Sequence, residues 1–198
     1  MSELQVTDML KEPMSLGAVF AESGMFPDIK TQSQGVVKIL AGKELGLSAF
    51  QSVKSLYFVN GRLALASDAM ASLVKASPKY DYKVDTITDT ECAISFFNGT
   101  PEDRKLIGTS TFTFKDAAKA GLANKDNWKN YPRNMLFARA LANGCRWYCP
   151  DAICGYHTVE EMQDIEPVKV EAPKKTVEIT VESEVTSGDS NNQESPAI

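Results

Sequence analysis

Two Asn-Gly pairs, Asn60-Gly61 and Asn98-Gly99, constrain this chain more than any other feature, because each stands between apolar, β-rich runs. Asn-Gly readily supplies the positive φ angles of a tight hairpin turn, so strands next to each other in sequence should pair antiparallel. The first pair joins Lys54–Val59 to Arg62–Leu65 as a two-stranded ribbon. The second follows the strand pair 80–87 and 91–97, and a further strand runs over Ile107–Phe114. Between these runs the apolar period changes to that of helices. Leu16, Val19 and Phe20 recur before Ser23-Gly24, and Val36, Val37, Ile39, Leu40 and Leu45 before Gly46. Ser67 or Asp68 is placed to cap a helix carrying Met70, Leu73 and Val74, which Pro78 ends. Thr113 to Asp116 resembles a capping box opening a short helix that stops at Gly121. Together these segments predict an α+β fold, a small antiparallel or mixed twisted sheet of β-hairpins packed by helices.

The core should end near residue 162. From Gln163 onward the chain has no aromatic residue and no helical stripe and is rich in Pro, Ser, Glu and Asn. Such a segment cannot bury enough surface to offset its chain entropy, so 1–162 is read as a core domain and 163–198 as a disordered acidic tail. Its one strand-like pattern, the alternation Val177 to Val181, would need a partner's sheet edge. The tail holds eight acids against three lysines, and so accounts for the whole net charge of -5. The core is neutral, with 18 basic and 18 acidic side chains. Without the tail, the acidic total no longer argues against a nucleic-acid ligand.

Within that neutral core, Lys115 to Arg146 holds seven cations and two acids. Asp81, Asp85, Asp89 and Glu91 form the acidic counterweight upstream. Pro132 suits the first turn of a long basic helix over 132–148. Arg133 falls in the same turn, where the helix dipole disfavours a cation, so an anion is expected beside it. Arg139 and Arg146, seven residues apart, return to within roughly 20° of one face and lie about 10 Å apart along it. Guanidinium groups so spaced suit the phosphates of a polymer backbone. The alternative is a surface helix paired with the acids upstream.

Three blocks in order resemble the RecT/Red beta superfamily of phage single-strand annealing recombinases, over about two-thirds of the chain, from Gly35 to Met162. They are Glu44-Leu45-Gly46-Leu47 with Lys54-Ser55-Leu56-Tyr57 and the Asn60-Gly61 hairpin; Ser67-Asp68-Ala69-Met70 through Ser77-Pro78-Lys79-Tyr80-Asp81; and Trp128-x-x-x-Pro132-Arg133-x-Met135-Leu136-x-x-Arg139-Ala140, with Arg146 and Pro150-Asp151 beyond. The resemblance implies ATP-independent annealing of complementary strands by a homo-oligomer, a ring or helical filament, that holds DNA in a basic groove. It carries the groove onto Lys54, Arg133, Arg139 and Arg146, and Lys129 and Trp128 join them as neighbouring candidates; Trp128, Tyr131 and Trp147 are candidates for base stacking, with core packing the alternative for aromatic residues beside an amphipathic helix. Asn134 and Phe137 stand where the family has basic residues, which implies a less basic helix and a shallower salt dependence. The implied partners are single-stranded DNA, the annealed duplex, and a phage exonuclease or host single-strand-binding protein. The region with which longer family members recruit proteins has no counterpart here, so recruitment is not carried over.

Other chemistries find less support. Cys145, Cys149, Cys154 and His157 place four soft ligands within 13 residues, the basis of an alternative reading as a small zinc-stabilised interaction module. Their spacing fits no common zinc pattern, and buried free cysteine is the expected state. There is no phosphate-binding GxxxxGK and no GxGxxG, and the single histidine has no nucleophile motif, so neither a cofactor nor an enzyme is expected. The polar, acidic start and the absence of a long apolar run predict a cytoplasmic protein that needs no membrane.

Overall fold

The hairpins and helices form as their sequences require, in a computed structural model that describes residues 3–163. The tail reading therefore falls, apart from Gln163, outside the described residues. Helix α1 (Glu3–Glu22) packs on α2 (Gln32–Glu44), and α3 (Ala49–Ser55) packs on α2 in turn. Capping boxes open both later helices: the Thr31 hydroxyl accepts from the Gln34 N–H, and Ser48 serves Gln51 likewise. Ile29, Ile39 and Val53 form a small core here, bordered by Leu16, Phe20 and Phe26. Lys38 is fully buried in the same region. Its ammonium meets Asp28 Oδ2 at 2.7 Å and donates to the Val53 carbonyl at 3.3 Å, and Asp28 also accepts from the Phe58 N–H at 3.0 Å. One buried charge thus ties α2 to the strand that follows α3.

That strand, β1 (Leu56–Val59), pairs antiparallel with β2 (Arg62–Leu65) across Asn60-Gly61, whose φ angles are 52° and 76°. The ribbon starts two residues later than the sequence predicts, because the Ser48 cap draws Lys54 and Ser55 into α3. Helix α4 (Ser67–Ala76) follows with Ala66 as its N-cap, so neither Ser67 nor Asp68 caps it as expected. Both sit inside the first turn instead.

The second sheet is β3 (Tyr80–Ile87), β4 (Glu91–Asn98) and β5 (Lys105–Thr113), all antiparallel, with β4 central. Asn98-Gly99 opens a longer loop to Lys105, not a two-residue turn. Phe114 leaves the predicted strand to begin α5 (Phe114–Lys119), capped by Thr113 and Asp116 as expected. After α6 (Asp126–Asn130), helix α7 (Pro132–Tyr148) lies across β4 and β5. Its buried stripe, from Met135 and Leu136 through Leu141 to Cys145, meets Ile94, Phe96 and Trp128 in the main core. Gly144 allows the closest approach: a Cβ there would overlap the Phe96 ring. A 3-10 turn (Pro150–Ile153) and α8 (Val159–Met162) return the chain to the ribbon, where the Leu65 N–H donates to the His157 carbonyl at 2.9 Å. Among the described residues no helix is long and apolar enough to cross a membrane.

Candidate nucleic-acid interface

Arg139 and Arg146 do share one face of α7, but a carboxylate of the same chain already occupies that face. Arg146 donates from Nη1 to Glu161 Oε2 at 2.7 Å and from Nη2 to Glu161 Oε1 at 2.5 Å, with a further bond to Asn143 Oδ1 at 2.8 Å. Arg139 Nη1 lies 3.9 Å from Glu161 Oε1, and its Nη2 donates to the Glu160 carbonyl at 3.5 Å. The Glu161 side chain is 7% exposed. Its place on α8 is fixed by a capping box in which the Thr158 N–H donates to Glu161 Oε2 at 3.0 Å and the Glu161 N–H donates to the Thr158 hydroxyl at 3.3 Å. Burial raises the Glu161 carboxyl; the Arg146 hydrogen bonds, the Thr158 N–H and the two guanidinium charges outweigh it and hold it below the ordinary glutamate range. Sequence reasoning missed Glu161, although Thr158-Val159-Glu160-Glu161 carries the capping-box spacing that would have placed it on a helix.

Arg133 does have an anion beside it, as its unfavourable place near the helix N-terminus requires. The anion is Asp89, in the β3–β4 turn, which accepts from Arg133 Nε at 2.7 Å and from Nη2 at 3.4 Å. Both side chains are more than half exposed. The acidic counterweight is used in the same way elsewhere: Asp81 pairs with Lys75 at 2.6 Å and with Arg104, and Asp85 accepts from the Ser95 hydroxyl at 2.5 Å. The pairing of this helix with upstream acids, the alternative drawn from sequence, thus holds at Arg133.

Trp128 requires a correction. The indole is 1% exposed, with Phe112 and Phe114 at ring-centre distances of 6.1 and 6.5 Å, and so presents no face to a base. The exposed aromatic residues of this region are Tyr131 and Trp147. Lys129 is exposed on α6. Lys54 is exposed at the end of α3, where it lines a depression of about 240 Å³ with Gln51, Tyr57 and Asp68. Asp68 also borders the groove at the start of α7, so a carboxylate lies between Lys54 and that helix.

Besides Arg133, the exposed cations of the basic segment are lysines ahead of α7. Lys115 and Lys119 stand four apart on α5, and Lys125 and Lys129 stand four apart at the start and in the body of α6. All four are exposed, while Asp116 among them is turned to the Thr113 N–H and hydroxyl at 3.1 and 2.6 Å. Asp116 interacts electrostatically with Lys115 and Lys119, and Asp126 is exposed between Lys125 and Lys129, so each lysine pair has an acid within it.

The cysteine cluster does not converge. Cys145 and Cys149 are fully buried one turn apart, and the hydrogen bond to Cys149, with burial, pushes the Cys145 thiol up. Cys154 is exposed, its thiol 4.0 Å from the Asp151 carbonyl, and His157 Nδ1 lies 3.7 Å from Glu161 Oε2. Among the described residues no three His, Cys, Asp or Glu side chains are placed to hold a metal ion. No family model, curated protein or solved structure matches the chain.

Proposed function

We propose that the chain binds single-stranded DNA and promotes ATP-independent pairing of complementary strands, in the manner of the phage and prophage recombination proteins whose sequence blocks it resembles. The observation that carries this reading is the exposure of Lys115, Lys119, Lys125 and Lys129, with the exposed ring of Tyr131 two residues after Lys129. Annealing asks for a strand held by its phosphates with base edges left free, and exposed lysines meet that need without reading sequence. Tyr131 offers a face on which a base of any type can stack. Arg133 joins the lysines when phosphate replaces Asp89. Arg139 and Arg146 act behind the surface, tying α7 to α8 through Glu161, and Lys54, with Asp68 between it and α7, stands apart from this track. In this reading the protein works in the cytoplasm as a homo-oligomer and makes or breaks no covalent bond.

The test is the variant in which Lys115, Lys119, Lys125 and Lys129 are all alanine, assayed by fluorescence pairing of complementary oligonucleotides without nucleotide cofactor. Pairing should slow by more than about tenfold at low salt, at an unchanged melting temperature. Pairing at the parent's rate would remove these lysines from the site. A parent protein that accelerates no pairing would overturn the function itself.

A further inference from the structure

The acidic counterweight of the sequence begins at Asp81, yet the pocket around Asp81 holds a surplus of cations. A cavity of about 590 Å³ opens beside the end of α4, the first half of β3 and the residue ahead of β5, and Lys75, Lys83 and Arg104 line it with Asp81, Tyr82 and the half-buried Phe97. The Asp81 side chain is 17% exposed, and both its oxygens are engaged. Oδ1 accepts from Lys75 Nζ at 2.6 Å and from the Tyr82 N–H at 2.8 Å, and Oδ2 accepts from Arg104 Nη1. Lys75 Nζ donates also to the Tyr82 carbonyl at 2.8 Å. Because β3 is an edge strand, these bonds close its open backbone at Tyr82, so the pocket does not call for an added strand. What remains is donors. Among the described residues Arg104 uses Nη1 alone, Lys75 uses two of its three N–H groups, and Lys83, 73% exposed, lies 3.8 Å from Asp85.

We propose that this pocket binds a phosphate monoester, its oxygens held by Lys75, Lys83 and Arg104 and its organic body lying on Phe97. With Asp81 saturated, a ligand must bring both the negative charge and the acceptors. A phosphate monoester brings about -1.5 to -2 charge at pH 7 and three acceptor oxygens, one for each cation, where a carboxylate brings one charge and two oxygens. The guanidinium of Arg104 has the fork that meets two phosphate oxygens at once. Asp81 is a positioning residue: it fixes Lys75 and Arg104 before the ligand arrives, so less side-chain freedom is lost on binding. The cavity falls within the ~300–1,000 Å³ of small-molecule sites, which leaves room for the body of the ester. Asp81 pairs with Phe97 near one end of the sheet, and Lys115 follows Thr113, which pairs with Glu91 at the other, roughly 20 Å away along β4. The inference therefore stands apart from strand pairing and survives if that reading fails.

Isothermal titration of the full chain at low salt with phenyl phosphate should show one saturable site, with inorganic phosphate binding more weakly and phenol not at all. Arg104→Gln should weaken phenyl phosphate about tenfold or more, and Arg104→Lys, which keeps the charge but loses the fork, should fall between that variant and the parent. Lys83→Ala removes an exposed side chain that takes no part in the Asp81 bonds, so it keeps its fold, and it should weaken binding about 1.4- to 5-fold at an unchanged melting temperature. Competition identifies the source of the phosphate. A 5′-phosphorylated oligonucleotide that displaces phenyl phosphate better than its 5′-hydroxyl twin, by a margin lost in Arg104→Gln, would assign the site to strand ends, and equal displacement by the two would assign it to a free phosphate ester. No saturable binding of phenyl phosphate, or binding that Arg104→Gln and Lys83→Ala both leave unchanged, would overturn the inference and leave Lys75, Asp81 and Arg104 as a plug of the sheet edge.

Discussion

Replacing Glu161 by Gln keeps the side chain's shape and removes the charge that two guanidinium groups share. In the parent, Arg146 makes two bonds to that carboxylate and Arg139 lies 3.9 Å from it. Breaking a fully buried ion pair costs about 3–5 kcal/mol, because the remaining charge is left without compensation. Here Arg146 is 26% exposed and Arg139 14%, so water recovers part of the loss and we expect about 2–3 kcal/mol. For a domain of this size that is a fall in melting temperature of about 4–12 °C, read by circular dichroism. Arg146→Ala should cost a similar amount, and the double variant less than the sum of the two, since both remove one interaction. The pH dependence follows from the same carboxyl. Its folded pKa lies below the unfolded value of about 4.3, so its contribution is complete above that value and disappears as pH falls through the depressed folded one. The Gln variant should lack this acid-side loss. If Glu161→Gln melts with the parent, and Arg146→Ala loses annealing at full stability, then Arg146 is a phosphate ligand and the structural role assigned here is wrong.

Gly144→Ala places a methyl group against the ring of Phe96, itself 1% exposed, and overpacking of this kind costs about 1–3 kcal/mol, more than the gain in helix propensity returns. Denaturation in urea should show a lowered midpoint at an unchanged slope. Binding of single-stranded DNA should weaken with salt at a logarithmic slope near -2.8 if each of the four lysines neutralises one phosphate, about 50-fold between 50 and 200 mM. A flat salt response would show that phosphate contacts do not drive binding.

Local rules made most of the fold legible. Asn60-Gly61, Thr113 with Asp116, and Pro132 each act within four residues, and each is found where sequence reasoning puts it. The errors came where a neighbour competes. Ser48 caps a helix that takes Lys54 and Ser55 from the predicted strand, and Ala66 leaves Ser67 free to bond Glu160 across 93 residues. The site was less legible for a different reason. Helical spacing shows that Arg139 and Arg146 share a face, but not what that face meets, and a residue 15 positions downstream, Glu161, decides it. Trp128 stood beside cations in sequence, yet the strands before it supply Phe112 and the α5 start supplies Phe114, which close over the ring.

The three arginines of α7 differ in how readily a phosphate can reach them, and the difference lies in burial rather than in chemistry. To contact Arg146 a strand must displace a carboxylate that is 7% exposed and held by its own capping box, at the cost of a buried ion pair. At Arg133 it need only replace Asp89, in a pair whose partners are 61% and 63% exposed and which contributes little to stability. Salt and water already compete for that pair, so exchange for a polyanion is cheap, and a phosphate restores the anion that the helix N-terminus favours. Under the proposed function, Asp89 would act as a weak competitor for the nucleic acid. Asp89→Asn should tighten binding of single-stranded DNA at low salt by about 1.4- to 5-fold, the range expected for removing one exposed ion pair, with no change in melting temperature. The gain should vanish in an Arg133→Ala background. Tightening that persists there would mean that Asp89 acts through the general field of the surface and not through Arg133.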